Sequence, residues 1–347
     1  MINEKNSMKS TWRYTDRSTW NFHQKTLVFL DILPASRNDK PVPKHQKTDK
    51  IPYLPDWYMY RWILSRALLP LALQYAVVSY TGKPWHVFAV FIYYSLWFKA
   101  IGINQIHVLR RIGNIYGFLD GDQHDRDDVP DVGVKKVMRS LSSTGTFRPM
   151  LIALLTYDIR SNAVPNPHWA WLPLTVGCYG IALDFWFYWY HRLMHTTDSL
   201  WKYHRTHHLT KHPNPLMSLY ADTEQEIFDI VVIPLMAYLT LTVVGIPFNF
   251  YDWWICGQFV TFSELTGHTG LRLHATTPTP FGPLLRQLDA DLVIEDHDLH
   301  HRRGWKKSFN YGKHCRLWDR LFGTSGERIE SKEQNVDYEH PASLPLW

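Results

Sequence analysis

Nineteen of the 347 residues are histidine, and eight of them fall into three tight groups. His191 and His195 stand four apart in HRLMH, His204, His207 and His208 form HRTHH, and His297, His300 and His301 form HDLHH. A given three-position triplet is expected roughly 0.06 times by chance in a chain of this composition, so two triplets and a nearby pair are not scatter. On a helix, positions i, i+3 and i+4 share a face, so each group can present its imidazoles together. Neutral imidazole is the commonest protein ligand for first-row metals. One tetrahedral zinc takes about four ligands, so eight histidines suggest two metals, and with them redox chemistry or a bridged site. Lone histidines such as His23, His45 and His340 read as solvated.

Other residues bear on the same chemistry. His268, in Glu264-Leu-Thr-Gly-His268, and the nearby His274 could each complete a metal shell. His268 is favoured because it directly follows an apolar run, and His212 ranks behind both. His124 lies among aspartates in DQHDRDDVPDVGVKK, which reads as a solvated loop. Asp184 lies seven residues before His191 and nearly on its face. An ionisable group at that depth could orient a ligand imidazole from behind, or could simply sit at the membrane surface.

For the metal groups to meet, the intervening chain must bring them to one side. Ala67 to Gly82 and Pro84 to Phe98 are uncharged runs separated by a Thr-Gly-Lys-Pro turn, and read as a transmembrane hairpin if Arg66 and Lys99 snorkel. A helix from Trp169 to Tyr190 would be about 33 Å long, enough to cross a bilayer. Ile230 to Tyr251, broken by Pro234 and Pro247, and then Trp253 to Ser263 suggest a second hairpin whose return leg is short. Basic residues after each histidine group, including Arg192, Lys202, Arg205, Lys211, Arg302 and Lys306, favour a cytosolic face next to anionic lipid. The sequence therefore predicts an all-α integral membrane bundle: two transmembrane hairpins under a cytosolic, histidine-rich helical cap. The expected divisions are a polar N-terminal extension (1–55), a hairpin and connecting loop (56–165), a catalytic domain (166–328) and a tail (329–347).

Composition narrows the class. Sixteen Trp and nineteen Tyr suit membrane–water interfaces. The mean hydropathy of -0.27 would argue for a soluble protein, but polar ends dilute the apolar runs. The net charge of +5 is scattered, with no basic patch of nucleic-acid spacing, so nucleic acid is not an expected partner. Cys178, Cys256 and Cys315 have no paired spacing and read as small buried hydrophobes. No basic segment followed by an apolar core opens the chain, so no cleavable signal peptide is expected.

With these residues in view, the chain resembles the fatty acid hydroxylase / sterol desaturase superfamily of membrane di-iron enzymes. The resemblance rests on HRLMH at 191–195, HRTHH at 204–208, GHTG at 267–270, HDLHH at 297–301, NYG at 310–312 and LWDRLFGT at 317–324. It covers roughly residues 169 to 325. It implies a multi-pass protein of the endoplasmic reticulum with its site facing the cytosol. It implies two non-haem irons held by His191, His195, His204, His207, His208, His297, His300 and His301, with His268 as a ninth ligand. It implies hydroxylation of a hydrophobic substrate (sterol, sphingoid base, fatty acyl chain or specialised metabolite) with O2 and electrons from NAD(P)H through cytochrome b5 and its reductase. The His-Pro-Gly-Gly motif of a fused cytochrome b5 is absent, so the electrons are expected from a separate protein.

Three other readings compete. A sterol-type desaturase would use the same site. A zinc hydrolase predicts His-Glu-x-x-His, and Arg192 stands where that glutamate should be. A metal- or lipid-binding membrane protein would carry the histidines without turnover.

Overall fold

A computed structural model describes residues 6–34, 42–161 and 163–346; parts of the N-terminal extension and Asn162 at the head of the long apolar run lie outside these. Among these residues the architecture is helical, with one two-residue parallel strand pair, β1 (Ile51–Pro52) with β2 (Val336–Asp337). Among the described residues, three helices are long and apolar enough to cross a membrane: α2 (Asp56–Thr81), α3 (Val87–Tyr116) and a continuous run, Thr223–Val243. α2 starts after Pro55, which cannot continue a preceding helix, and stops at Gly82, whose φ of 65° only glycine adopts freely. α2 and α3 form the expected first hairpin. Its two charges behave otherwise than expected. Arg66 is buried and donates to Asn104 Oδ1 at 3.0 Å and to the Leu346 carbonyl, while Lys99 reaches Thr146 of α4 (Val134–Thr156). Both find protein partners, which removes the need to snorkel.

The third run comprises α7 (Thr223–Ile227), a π-helical turn at Phe228–Val232 and α8 (Ile233–Val243). Pro234 has no N–H for the Ile230 carbonyl, and the widened turn falls where that bond would be. The helix thus begins seven residues before the expected Ile230, taking Asp229 into its middle.

The return leg differs most from the sequence reading. α9 (Phe250–Gly267) is no lipid-facing span: sixteen of its eighteen residues are buried, and it packs against α2, α3, α4 and α5 (Leu172–Thr196). A helix apolar all round belongs in a core. α5 starts at Leu172, three residues after the expected Trp169, with Pro173 in its first turn, and runs through both histidines of its pair.

The polar ends are also more structured than expected. In the N-terminal extension, α1 (Phe22–Phe29) is capped reciprocally by Asn21 and Gln24, and Trp12, Trp20 and Leu27 are buried. The acidic segment after Gly121 is not a free solvated loop. Asp131 accepts the backbone N–H groups of Thr11 and Trp12, and Asp127 accepts that of His212. In the last part of the catalytic segment, α11 (Ile294–Arg303) has eight of its ten residues buried. Two short helices, α6 (Asp198–His204) and α10 (Gly282–Gln287), precede it, and α12 (Leu317–Leu321) follows.

Candidate metal centre

Four elements converge beneath α9. α5 brings His191 and His195, α6 ends on His204, a 3₁₀ turn over His207–Leu209 brings His207 and His208, and α11 brings His297, His300 and His301. His268 closes the end of α9. All nine are buried.

Their ring nitrogens form two adjacent groups. His191, His195, His204, His208 and His300 make one; His207, His268, His297 and His301 make the other; within each, the ligand atoms lie within 4.8 Å of one another. The rings of His208 and His301 stack across the boundary with centroids 4.8 Å apart. The three sequence groups are therefore not three faces. Each triplet is split, with His204, His208 and His300 serving the first group and His207, His297 and His301 the second. The middle triplet can be split because α6 ends within it, and the tighter turn swings His207 away from its neighbours.

Hydrogen bonds behind the rings fix the tautomers. Nδ1 of His191 donates to the Tyr311 carbonyl at 2.7 Å, that of His195 to Trp305 O at 2.7 Å, and that of His300 to Phe309 O at 2.6 Å. In the second group, His268 donates to Glu264 O at 2.8 Å and His301 to Thr210 O at 3.0 Å. His204 donates to the Gln225 side-chain oxygen at 3.0 Å. A neutral imidazole whose Nδ1 carries the proton has a bare lone pair on Nε2. His191 Nε2 and His204 Nε2 nevertheless face each other at 3.0 Å, and His195 Nε2 and His301 Nε2 are buried without a partner. Neither member of the facing pair can donate, so this is no hydrogen bond. Two nitrogens bound at right angles to one metal at about 2.1 Å would stand about 3.0 Å apart. The donor set fits a pair of cations.

The electrostatics agree. Burial, then the neighbouring imidazoles, pushes His207, His208, His297 and His301 well below the usual histidine range, and burial holds His268 down to about 4. These rings are neutral at pH 7, the form that binds metal.

The loop that supplies three of the carbonyls is itself clamped. Asp319 accepts the N–H groups of Tyr311 and Gly312 at 2.8 Å. Asp184 accepts those of Lys313, His314 and Cys315, and the Cys315 thiol. Asp184 thus fits neither of its two readings: it is fully buried, not at a membrane surface, and touches no ligand imidazole, holding instead the loop that orients His191. His212 pairs with Asp120, and His274 lies beside Tyr53 at the β1 junction, so neither joins the groups, and nor does His124. Of the basic residues after the third triplet, Arg302 turns inward to Asp298 and Asp120, and Arg316 is buried. Gln225 gave no sequence signal: its side chain reaches back 21 positions to His204. Asp229 did give one, as the last charge before an apolar run.

The chain is 38% identical over 316 residues to the fatty acid hydroxylase vlmA of Lecanicillium sp, an alignment covering 87% of this chain and 86% of that protein. It belongs to the fatty acid hydroxylase family. The Fatty acid hydroxylase family model matches residues 176–324, the stretch holding all nine histidines. More distant members share about half of this chain. The very-long-chain aldehyde decarbonylase GL1-11 of Oryza sativa subsp. indica is 29% identical over 49% of this chain and 59% of its own. The alkylglycerol monooxygenase of Homo sapiens is 26% identical over 49% of this chain and 33% of its own. No solved structure matches. As a member of this family, the chain is an oxidoreductase.

Proposed function

We propose that the chain is a membrane-bound non-haem di-iron oxygenase that hydroxylates a hydrophobic, lipid-like substrate. The observation that carries this reading is the facing of bare, buried imidazole nitrogens in two adjacent groups. Imidazole without thiolate suits iron. The net reaction is R–H + O2 + 2 e⁻ + 2 H⁺ → R–OH + H2O. Two bound irons would supply the reductive activation of O2 that no side chain can perform. His191, His195, His204, His208 and His300 would hold one, and His207, His268, His297 and His301 the other. The carbonyls of Trp305, Phe309, Tyr311, Glu264 and Thr210 keep the rings oriented and their Nε2 atoms deprotonated. The surrounding buried helices exclude water. The relatives' names denote substrates that join an alkyl chain to an oxygen function, which supports a lipid substrate here.

The finer assignments form one proposal. Residues 166–328 act as the catalytic unit and 56–165 as the anchor. The protein resides in the endoplasmic reticulum with the histidines toward the cytosol. Electrons from NAD(P)H arrive through cytochrome b5 and its reductase. A desaturase on the same site would release an alkene in place of an alcohol, so product analysis separates the two.

The test is metal analysis of the purified chain with turnover of a lipid extract. Two irons per chain and an oxygenated product are expected; one zinc would favour a hydrolase, and no metal a binding protein. His191→Ala, His207→Ala and His300→Ala are each expected to abolish turnover, and full activity in any of them would defeat the ligand assignment.

A further inference from the structure

The N-terminal extension reads as polar, yet α1 turns aromatic side chains outward. Phe22, Lys25 and Phe29 are the exposed residues of this helix, at i, i+3 and i+7, so they form one stripe. Phe22 is 75% exposed and Phe29 85%. Leu27, on the opposite side, is fully buried and joins the helix to the core. Single exposed apolar side chains are ordinary on a protein surface. A short helix that gives two of its three outward positions to phenylalanine is poorly suited to water.

The level of α1 along the bundle says what the stripe meets. α3 is one of the helices long and apolar enough to cross a membrane, and it exposes Phe88, Ile92 and Leu96 on one side. From Val87 to His107, α3 rises about 30 Å at 1.5 Å per residue, the thickness of a bilayer's hydrocarbon layer. At that level His107 Nε2 donates to the carbonyl of Leu30, the residue directly after α1, at 3.0 Å. One turn further, Arg110 binds the Asp31 carboxylate and the Leu33 carbonyl. Gln105, just below, donates to the Phe262 carbonyl of α9 at 2.9 Å, which marks this as the end of the bundle where His268 lies. The C-terminal end of α1 is therefore pinned where hydrocarbon gives way to head groups, on the histidine side. α1 also packs beside α4, which exposes Phe147, Leu154 and Leu155 deeper in the same layer. The stripe thus continues the lipid-facing surface of α3 and α4 up to its edge. Aromatic rings flanking a lysine suit that edge: the rings settle at the acyl boundary, and the ammonium reaches anionic head groups.

We propose that α1 is an in-plane anchor lying in the bilayer leaflet nearest the histidines, with Phe22 and Phe29 at the boundary of acyl chains and head groups and Lys25 on an anionic head group. The assignment rests on the reading of the chain as a membrane protein. It makes part of the N-terminal extension a membrane-binding element in addition to the spanning helices.

Photo-crosslinking of the full chain in liposomes of equal parts phosphatidylcholine and phosphatidylserine tests it. Phe22→p-benzoylphenylalanine and Phe29→p-benzoylphenylalanine are irradiated separately, and intact mass reads the adduct. Each should gain the mass of one phospholipid, as should the control Ile92→p-benzoylphenylalanine in α3. The blank is Tyr338→p-benzoylphenylalanine, beside Tyr53 ahead of α2, about 15 Å beyond the level where Arg66 meets Asn104. It should gain none. At Phe29, phosphatidylserine should outnumber phosphatidylcholine by about fivefold, the worth of one lysine at an anionic surface, and Lys25→Gln should bring the two to parity. Crosslinks to a second copy of the chain, an unmodified chain where Ile92 is labelled, or lipid adducts equally frequent at Tyr338 would each overturn the anchor. Equal adducts of the two lipids, or a preference surviving Lys25→Gln, would overturn the role of Lys25. The substituted positions on α1 are exposed, so its packed side stays intact. Neither metal nor turnover enters the measurement, so it stands apart from the di-iron reading.

Discussion

Each histidine depends on the atom behind it as much as on its own place. His204 is the clearest case, because its Nδ1 is held by a side chain, Gln225, and not by a carbonyl. Gln225→Leu should free the ring to rotate or change tautomer and weaken metal binding about 10–100-fold, with the fold kept; chelator competition reads this directly. Protons compete for the same nitrogens. In the unfolded chain histidine titrates near 6.5, whereas burial holds His268 down to about 4 and His207, His297 and His301 well below their usual range. Between those values the unfolded state binds more protons, so stability falls as pH drops from about 6.5 toward 4. Metal-free protein in detergent should therefore melt at a lower temperature near pH 5 than near pH 7.5, and an unchanged melting temperature would contradict the burial of neutral rings. Eight of the nine histidines were legible from spacing, because ligand chemistry forces one residue type into short-range patterns; His268 stands alone and was reached from its place after an apolar run and from the resemblance. Their partners were not. Five of the six are carbonyl oxygens, which every residue carries, and Gln225 sits at a separation that no local rule marks.

At the scale of elements, the loop from Trp305 to Cys315 does the positioning. It has no regular structure, so its shape depends on the carboxylates that collect its N–H groups. Asp184→Ala would strand three buried N–H donors and the Cys315 thiol, and should destabilise the chain by about 3 kcal/mol or more, read as a lower melting temperature with iron bound or removed. Asp184→Asn keeps one acceptor and should cost less. The sequence marked Asp184 as unusual by its depth in an apolar run, but not its partner, since 129 positions separate it from Lys313. The α2–α3 hairpin was readable because two long apolar runs flank a Gly-Lys-Pro turn. α9 was misread because hydropathy records only that a helix avoids water, and a core and a bilayer meet that condition equally. The π turn before Pro234 follows from a missing donor, yet the proline alone gives no sign of whether the helix breaks or widens.

Across the whole molecule, the ends of the chain are fastened to the centre. Glu295, in the first turn of α11, accepts the backbone N–H groups of Ile329, Glu330 and Ser331. Glu330 in turn pairs with Arg272 at 3.0 Å and accepts the Asp120 N–H at 2.9 Å. Removing residues 329–347 would leave Glu295 buried without those partners next to His297. The truncated chain should retain less iron than the full one even though no histidine of either group is lost; equal iron in both would show the tail to be dispensable. Such long-range fastening is the part of the fold least visible in sequence, where residues 329–347 look irregular and polar.

Neighbouring residues assigned to different ions make the two positions rise or fall together. His207 and His208 are consecutive, as are His300 and His301, so seating an ion on one draws taut the backbone that frames the other. Loading should then be all-or-none. With iron supplied below saturation, native mass spectrometry would find molecules holding two ions and empty molecules side by side, and hardly any carrying a single ion.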